Sequence, residues 1–170
     1  MDGIDPQSIV TAPAGMATLV ITRAFAAPRT LVWRCYTDPV HLVHFWGPHG
    51  STCPLSEIDL RVGGRWRQVM RFATGNEYGY SSAYLEITPP SRLVWRDAPD
   101  DYGFGDPLPP VTMHTTLELA EQHGRTTVTV TVVFGSAAAR DQAVRNGFAR
   151  TVTEGHERLA LHLETQRSGA

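Results

Sequence analysis

Between residues 52 and 134 the chain carries short strand patterns separated by tight turns. Arg65–Phe72 is the clearest, because Trp66, Gln68 and Met70 alternate with arginines, which is the pattern of a half-buried antiparallel strand. Val62-Gly63-Gly64 before it predicts a hairpin turn. Strands joined by short turns lie antiparallel to their neighbours, so this run predicts a strongly curved antiparallel meander.

Helical patterns flank the meander on both sides. Apolar spacing predicts two short helices between Ala27 and Trp46, and one long helix over Ser136–Gln166. Strands are predicted at residues 17–25, 52–60, 65–72, 78–87, 92–97, 111–119 and 126–134. We therefore predict an α+β chain in which the last helix lies across the concave face of the sheet. Small side chains at that contact would leave an internal pocket.

The composition of the chain limits the classes of protein to which it can belong. The 170 residues suffice for one domain, which we place at residues 17–166 between a flexible N-terminal tail at 1–16 and a C-terminal tail at 167–170. A net charge of −2 gives no basic surface for nucleic acid, and all 15 basic residues are arginines. The absence of lysine excludes Schiff-base and P-loop chemistry. The apolar runs are too short to cross a membrane, and two cysteines fit a reducing cytoplasmic setting.

A set of short motifs, in this order and spacing, resembles one known family. They are Arg23-Ala24-Phe25, Thr37-Asp38-Pro39, Phe45-Trp46-Gly47-Pro48, Asp59-Leu60-Arg61-Val62-Gly63-Gly64, Glu86-Ile87-Thr88-Pro89-Pro90, Gly147-Phe148 and Arg158-Leu159. The sequence resembles the bacterial homologues of the heat-shock-protein-90 ATPase activator, within the START-like (SRPBCC) superfamily. The resemblance implies the helix-grip fold. Ser82 and Thr151 stand where the family usually has glycine, which would narrow or polarise a pocket.

The pocket between sheet and last helix is the predicted binding site, and its expected ligand is a small apolar or aromatic molecule. Its predicted lining comes from the short helices, two strands and the last helix. These residues are Tyr36, Phe45, Trp46, Trp66, Gln68, Met70, Met113, Thr115, Phe148, Val152 and Gly155. The Pro-rich segment 98–110 is expected to serve as its lid. No cofactor is predicted.

Histidines cluster after the first helix. His41, His44, His49 and Cys53 fall close together in sequence, and zinc accepts such ligands. A turn at Pro48 separates them, however, so the sequence predicts no metal site.

Three functions remain open from the sequence. A binding protein or carrier is favoured. A polyketide cyclase or dehydratase-like enzyme would need one positioned acid–base group, for which His156 and Tyr84 are the candidates among a wider set that includes Asp97. A co-chaperone that contacts a large partner is implied by the family name, and a homodimer is also compatible with the sequence.

Overall fold

A nine-stranded sheet forms the body of the protein in a computed structural model that describes residues 7–98, 106–107 and 113–168. Its strands are β1 (Ile9–Thr11), β2 (Thr18–Phe25), β3 (Thr52–Ile58), β4 (Arg65–Arg71), β5 (Glu77–Thr88), β6 (Arg92–Asp97), β7 (Asp106–Pro107), β8 (Met113–Gln122) and β9 (Arg125–Phe134). The helices are α1 (Arg29–Thr37), α2 (Pro39–Leu42), α3 (Ala137–Arg145) and α4 (Phe148–Ser168). None of these helices is both long and apolar enough to cross a bilayer.

The strand order is β1-β2-β9-β8-β6-β5-β4-β3, and every neighbouring pair along it is antiparallel. The two-residue β7 pairs in parallel with β5 beyond the end of β6. The first long strand thus pairs with the last one, whereas the intervening strands form the predicted meander. The α+β, helix-grip prediction is confirmed.

Alternation along the strands decides which side chains meet the helices. In β2 the buried positions are Leu19, Ile21, Arg23 and Phe25, while the positions between them are partly exposed. Leu159 and Leu163 of α4 belong to the same apolar cluster. The concave face of the sheet and α4 therefore share one core, as the period-two and helical patterns require.

The prediction of one continuous last helix is wrong, because the helix is interrupted at Gly147. Its φ of +91° lies in the left-handed region, which favours glycine and cannot continue a right-handed helix. Ser136 caps α3 by accepting a hydrogen bond from the Ala139 backbone N–H at 3.0 Å. The Asn146-Gly147 pair is the local signal of this break.

Both segments predicted as tails contain regular structure. Ile9–Thr11 pair with Val20–Thr22 as an edge strand. At the other end, α4 continues to Ser168, two residues past the predicted end of the domain.

Arg158 ties α4 to the loop that follows α2. Its guanidinium donates to the carbonyl oxygens of Trp46, Gly47 and Pro48, and to both oxygens of Ser51, at 3.1–3.4 Å. Gly155, one turn earlier, allows close backbone approach: a Cβ there would lie 3.1 Å from the Phe45 carbonyl oxygen. One cation thus satisfies the acceptors of an irregular loop and fixes its position on the helix.

Candidate functional site

An aromatic group at one end of the concave face contains part of the predicted lining. Trp46 packs edge-on against Trp66 with ring centroids 4.7 Å apart, and Trp66 packs against Trp95 at 5.4 Å. Trp66 and Gln68 are both buried in β4. The structure therefore brings Trp46, Trp66 and Gln68 together and adds Trp95, which the sequence reasoning did not select.

Polar atoms inside this group bond to one another. The Trp66 ring N–H donates to Gln68 Oε1 at 3.1 Å, and Gln68 Nε2 donates to Cys53 Sγ at 2.9 Å. Cys53 Sγ in turn lies 3.5 Å from the Trp46 carbonyl oxygen. Cys53 is thus an acceptor for the buried Gln68 amide.

The remaining predicted lining residues fall elsewhere in the core. Tyr36 and Phe45 form an edge-on pair at 5.2 Å between α1 and the loop after α2. Phe148 packs on Phe134 at 5.5 Å, near the start of α4. Four more predicted residues are buried or partly buried: Met70, Met113, Thr115 and Val152. Gly155 lies against the Phe45 backbone, since a Cβ there would be 3.1 Å from the Phe45 carbonyl oxygen, and its place in a pocket lining stays a prediction.

Tyr84 lies in a row of inward-facing side chains. Strand register places it beside Trp95, which pairs with Thr115, which in turn pairs with Val132. Its side chain is 1% exposed, and its hydroxyl has no hydrogen-bond partner among the described residues. Burial raises the pKa of Tyr84 above its ordinary value, so the hydroxyl is a neutral donor.

Asp97 lies on the same face of the sheet, two residues after Trp95 in β6. It pairs in register with Ser82, whose other neighbour is Trp66. Burial raises the pKa of Asp97 to about 7, against the opposing effects of the Met113 backbone N–H and the Arg96 charge. A carboxyl with this pKa exchanges a proton near neutrality, which is what acid–base catalysis requires.

His156 faces the core from α4. It is 2% exposed, its Nδ1 lies 3.0 Å from Ser8 Oγ, and its Nε2 has no partner among the described residues. Burial, helped by the charge of Arg23, lowers the pKa of His156 to about 4. The imidazole is therefore neutral at pH 7, but it is a weaker base than a catalytic histidine with a pKa near 7.

Two surface recesses accompany these groups. One of about 340 Å³ lies at the β3–β4 turn, and one of about 450 Å³ is lined by His44, Arg158, Leu161, His162, Thr165 and Gln166. Neither is the interior pocket that the sequence predicts, and that pocket stays a prediction. Most of its expected lid, residues 99–105 and 108–110, lies outside the described residues.

The histidines regroup in the structure. His49 pairs with Glu157 at 2.6 Å, and Cys53 accepts from Gln68, so neither joins the other two histidines of the predicted cluster. His41 and His44 instead meet His162 of α4, which the sequence reasoning missed because it lies more than a hundred residues away. These side chains form a second polar group, separate from the aromatic one.

With this geometry in place, comparison with known proteins gives the family. Residues 26–164 match the model of the family described as "Activator of Hsp90 ATPase homolog 1-like protein". The chain belongs to this family. The match spans both short helices, the meander and almost all of α4, and it contains every sequence motif named above except Arg23-Ala24-Phe25.

Solved structures give the same result for the fold. A protein from Nitrosomonas europaea is 26% identical with a TM-score of 0.80, over 89% of this chain and 97% of that one. One from Mycobacterium smegmatis is 28% identical with a TM-score of 0.75, over 93% and 94%. An AHSA1 protein from Silicibacter pomeroyi shares the fold at 23% identity and a TM-score of 0.67, over 88% and 99%. No curated protein matches the chain.

Proposed function

We propose that the protein binds a small aromatic molecule with a polar substituent on the concave face, between the sheet and α4. The buried Tyr84 hydroxyl carries the proposal, because a buried donor without a partner costs about 1–3 kcal/mol and is stabilised by any acceptor that reaches it. The aromatic group of Trp46, Trp66 and Trp95 supports it, since such rings give a flat ligand large contact area.

The polar atoms favour a ligand that carries an acceptor. Tyr84 offers a hydroxyl donor, and neutral His156 offers Nε2 as a donor or an acceptor, according to its tautomer. Neither group carries charge at pH 7, so both act on a ligand through hydrogen bonds. Tyr84 would discriminate between ligands with and without a hydrogen-bond acceptor, because a ligand that lacks one would leave the Tyr84 hydroxyl unpaired.

A titration with 2-naphthol, followed by tryptophan fluorescence, tests this proposal. Thr115→Leu adds bulk on the interior row, whereas Thr116→Leu adds the same bulk at the adjacent position on the other face of β8. We expect quenching that saturates in the wild type and in Thr116→Leu, and that weakens in Thr115→Leu. Equal binding by all three, with folding checked by circular dichroism, would contradict an interior site.

Asp97 favours a second function, an enzyme of the polyketide cyclase or dehydratase type acting in the same place. Its pKa of about 7 suits proton transfer better than that of His156, the candidate from sequence. Asp97→Asn would abolish turnover of a bound aromatic polyketide while leaving its affinity nearly unchanged. Contact with a chaperone, which the family description implies, stays a prediction.

A further inference from the structure

A cysteine and two histidines from three helices meet beside the recess on α4. Cys35 comes from α1, His41 from α2 and His162 from α4. The Cys35 sulfur and one nitrogen of each imidazole all lie within 4.8 Å of one another. We infer that Cys35, His41 and His162 form a binding site for a divalent transition-metal ion, with zinc as the preferred ion. This site is separate from the aromatic group and goes beyond the proposed ligand binding.

The nitrogen atoms are close to the spacing that zinc requires. His41 Nδ1 and His162 Nε2 are 3.0 Å apart. Two nitrogens bound to a tetrahedral zinc at ~2.0–2.1 Å lie ~3.3 Å apart, and a sulfur at ~2.3 Å lies ~3.6 Å from each. The two imidazole nitrogens therefore need to separate by only about 0.3 Å, and the sulfur to approach each of them by about 1.2 Å at most.

The ligand chemistry also selects zinc. Two imidazoles and one thiolate are borderline and soft donors, which suit zinc and related ions rather than calcium or magnesium. Three protein ligands leave a fourth position for water. The recess of about 450 Å³ is lined by His162, so this one of the three ligands borders solvent.

Surrounding contacts fix the three ligands without a metal. Cys35 is fully buried in the core that also holds Leu42, and Asp38 caps α2, because its side chain accepts a hydrogen bond from the Val40 N–H at 3.0 Å. His44 stacks on His162 with ring centroids 4.8 Å apart and an interplanar angle of 13°. A site held in place before binding loses little conformational entropy when the ion arrives.

Binding requires simple proton changes. Each imidazole directs one nitrogen lone pair to the ion, and the Cys35 thiol releases one proton as the sulfur–metal bond forms. Burial raises the pKa of this thiol, so the sulfur–metal bond has to offset that cost. No oxidant, reductant or further protein chain is needed.

Titration of the untagged, chelator-treated full chain with Co²⁺, and then with competing Zn²⁺, tests the site. We expect one ion per chain, a near-ultraviolet thiolate-to-cobalt band, and displacement by zinc. Cys35→Ser removes the band. His41→Ala and His162→Ala lower the affinity at least ~100-fold, since loss of an outer-shell partner alone costs 10–100-fold. His114→Ala, an exposed histidine on β8, serves as the control and binds as the wild type does.

Two results would overturn the assignment. One is the absence of stoichiometric binding with a thiolate band in the wild type. The other is wild-type affinity in folded His162→Ala, a partly exposed position that tolerates substitution better than buried Cys35 does. Because this readout is the metal alone, it is independent of the 2-naphthol titration and can succeed or fail separately.

Discussion

Removal of the Tyr84 hydroxyl should stabilise the ligand-free protein. The side chain is 1% exposed and its oxygen lacks a partner among the described residues. Tyr84→Phe keeps the ring contacts and removes a buried group whose desolvation costs about 1–3 kcal/mol. For a chain of this size, a gain of about 2 kcal/mol raises Tm by about 4–8 °C.

Calorimetry at pH 7 gives the test. Tyr78→Phe is the matched control: Tyr78 lies on the same strand but is only half-buried, so its Tm should change little. A fall in Tm for Tyr84→Phe would refute the reasoning, because it would mean that the hydroxyl is already bonded in the free protein. Binding of 2-naphthol should weaken in the same variant by about tenfold, the loss of one hydrogen bond of about 1.4 kcal/mol.

Three further predictions concern pH and packing. The pKa of His156 is about 4 in the folded protein and ~6.5 in the unfolded chain, so acidification through this range lowers the free energy of unfolding by up to about 3 kcal/mol. In urea unfolding, the free energy of unfolding of His156→Gln should depend less on pH than that of the wild type. Asp97 in the folded protein keeps its proton up to about pH 7, so the free energy of unfolding falls as the pH rises from ~4 through 7. Asp97→Asn should therefore raise the free energy of unfolding by about 2 kcal/mol over wild type at pH 8, and should not change it at pH 4. Gly155→Ala should lower the free energy of unfolding by about 1 kcal/mol in the same assay, because the new Cβ would lie 3.1 Å from the Phe45 carbonyl oxygen. Gly135→Ala is the control and should not lower it, because the space around Gly135 is open.

The strands could be predicted because each one carries its own signal. Alternation at Trp66, Gln68 and Met70 and turns at Gly-containing segments are local properties, and the structure follows them in β4 and its neighbours. The break at Gly147 has an equally local signal in the Asn-Gly pair. It was the continuing apolar stripe through Val144 and Phe148 that favoured a single helix instead.

The metal-ligand group could not be predicted from sequence spacing. His41 and His162 are separated by 121 positions, and only the docking of α4 beside α2 brings them into contact. Nearness in sequence favoured His49 and Cys53 as their companions, but these two side chains bond to Glu157 and Gln68. Long-range geometry of this kind follows from tertiary packing and not from local pattern.

The sequence does not reveal, either, that the Tyr84 hydroxyl lacks a hydrogen-bond partner among the residues that the structure describes. Its place in a strand predicts burial on one face, but whether a hydroxyl finds a partner depends on the helix and strands around it. Asp97 illustrates the same limit, since its raised pKa results from burial beside the aromatic group.

The pairing of β2 with β9 sets the order in which a newly made chain can finish folding. Thr18–Phe25 leave the ribosome early, yet their partners Thr126–Val133 are among the last strands to be synthesised. The loop around Trp46 can form its native hydrogen bonds only later still, because Arg158 of α4 donates them. During translation β2 therefore has unpaired backbone groups, and only a factor that binds the nascent chain can cover them before β9 is made.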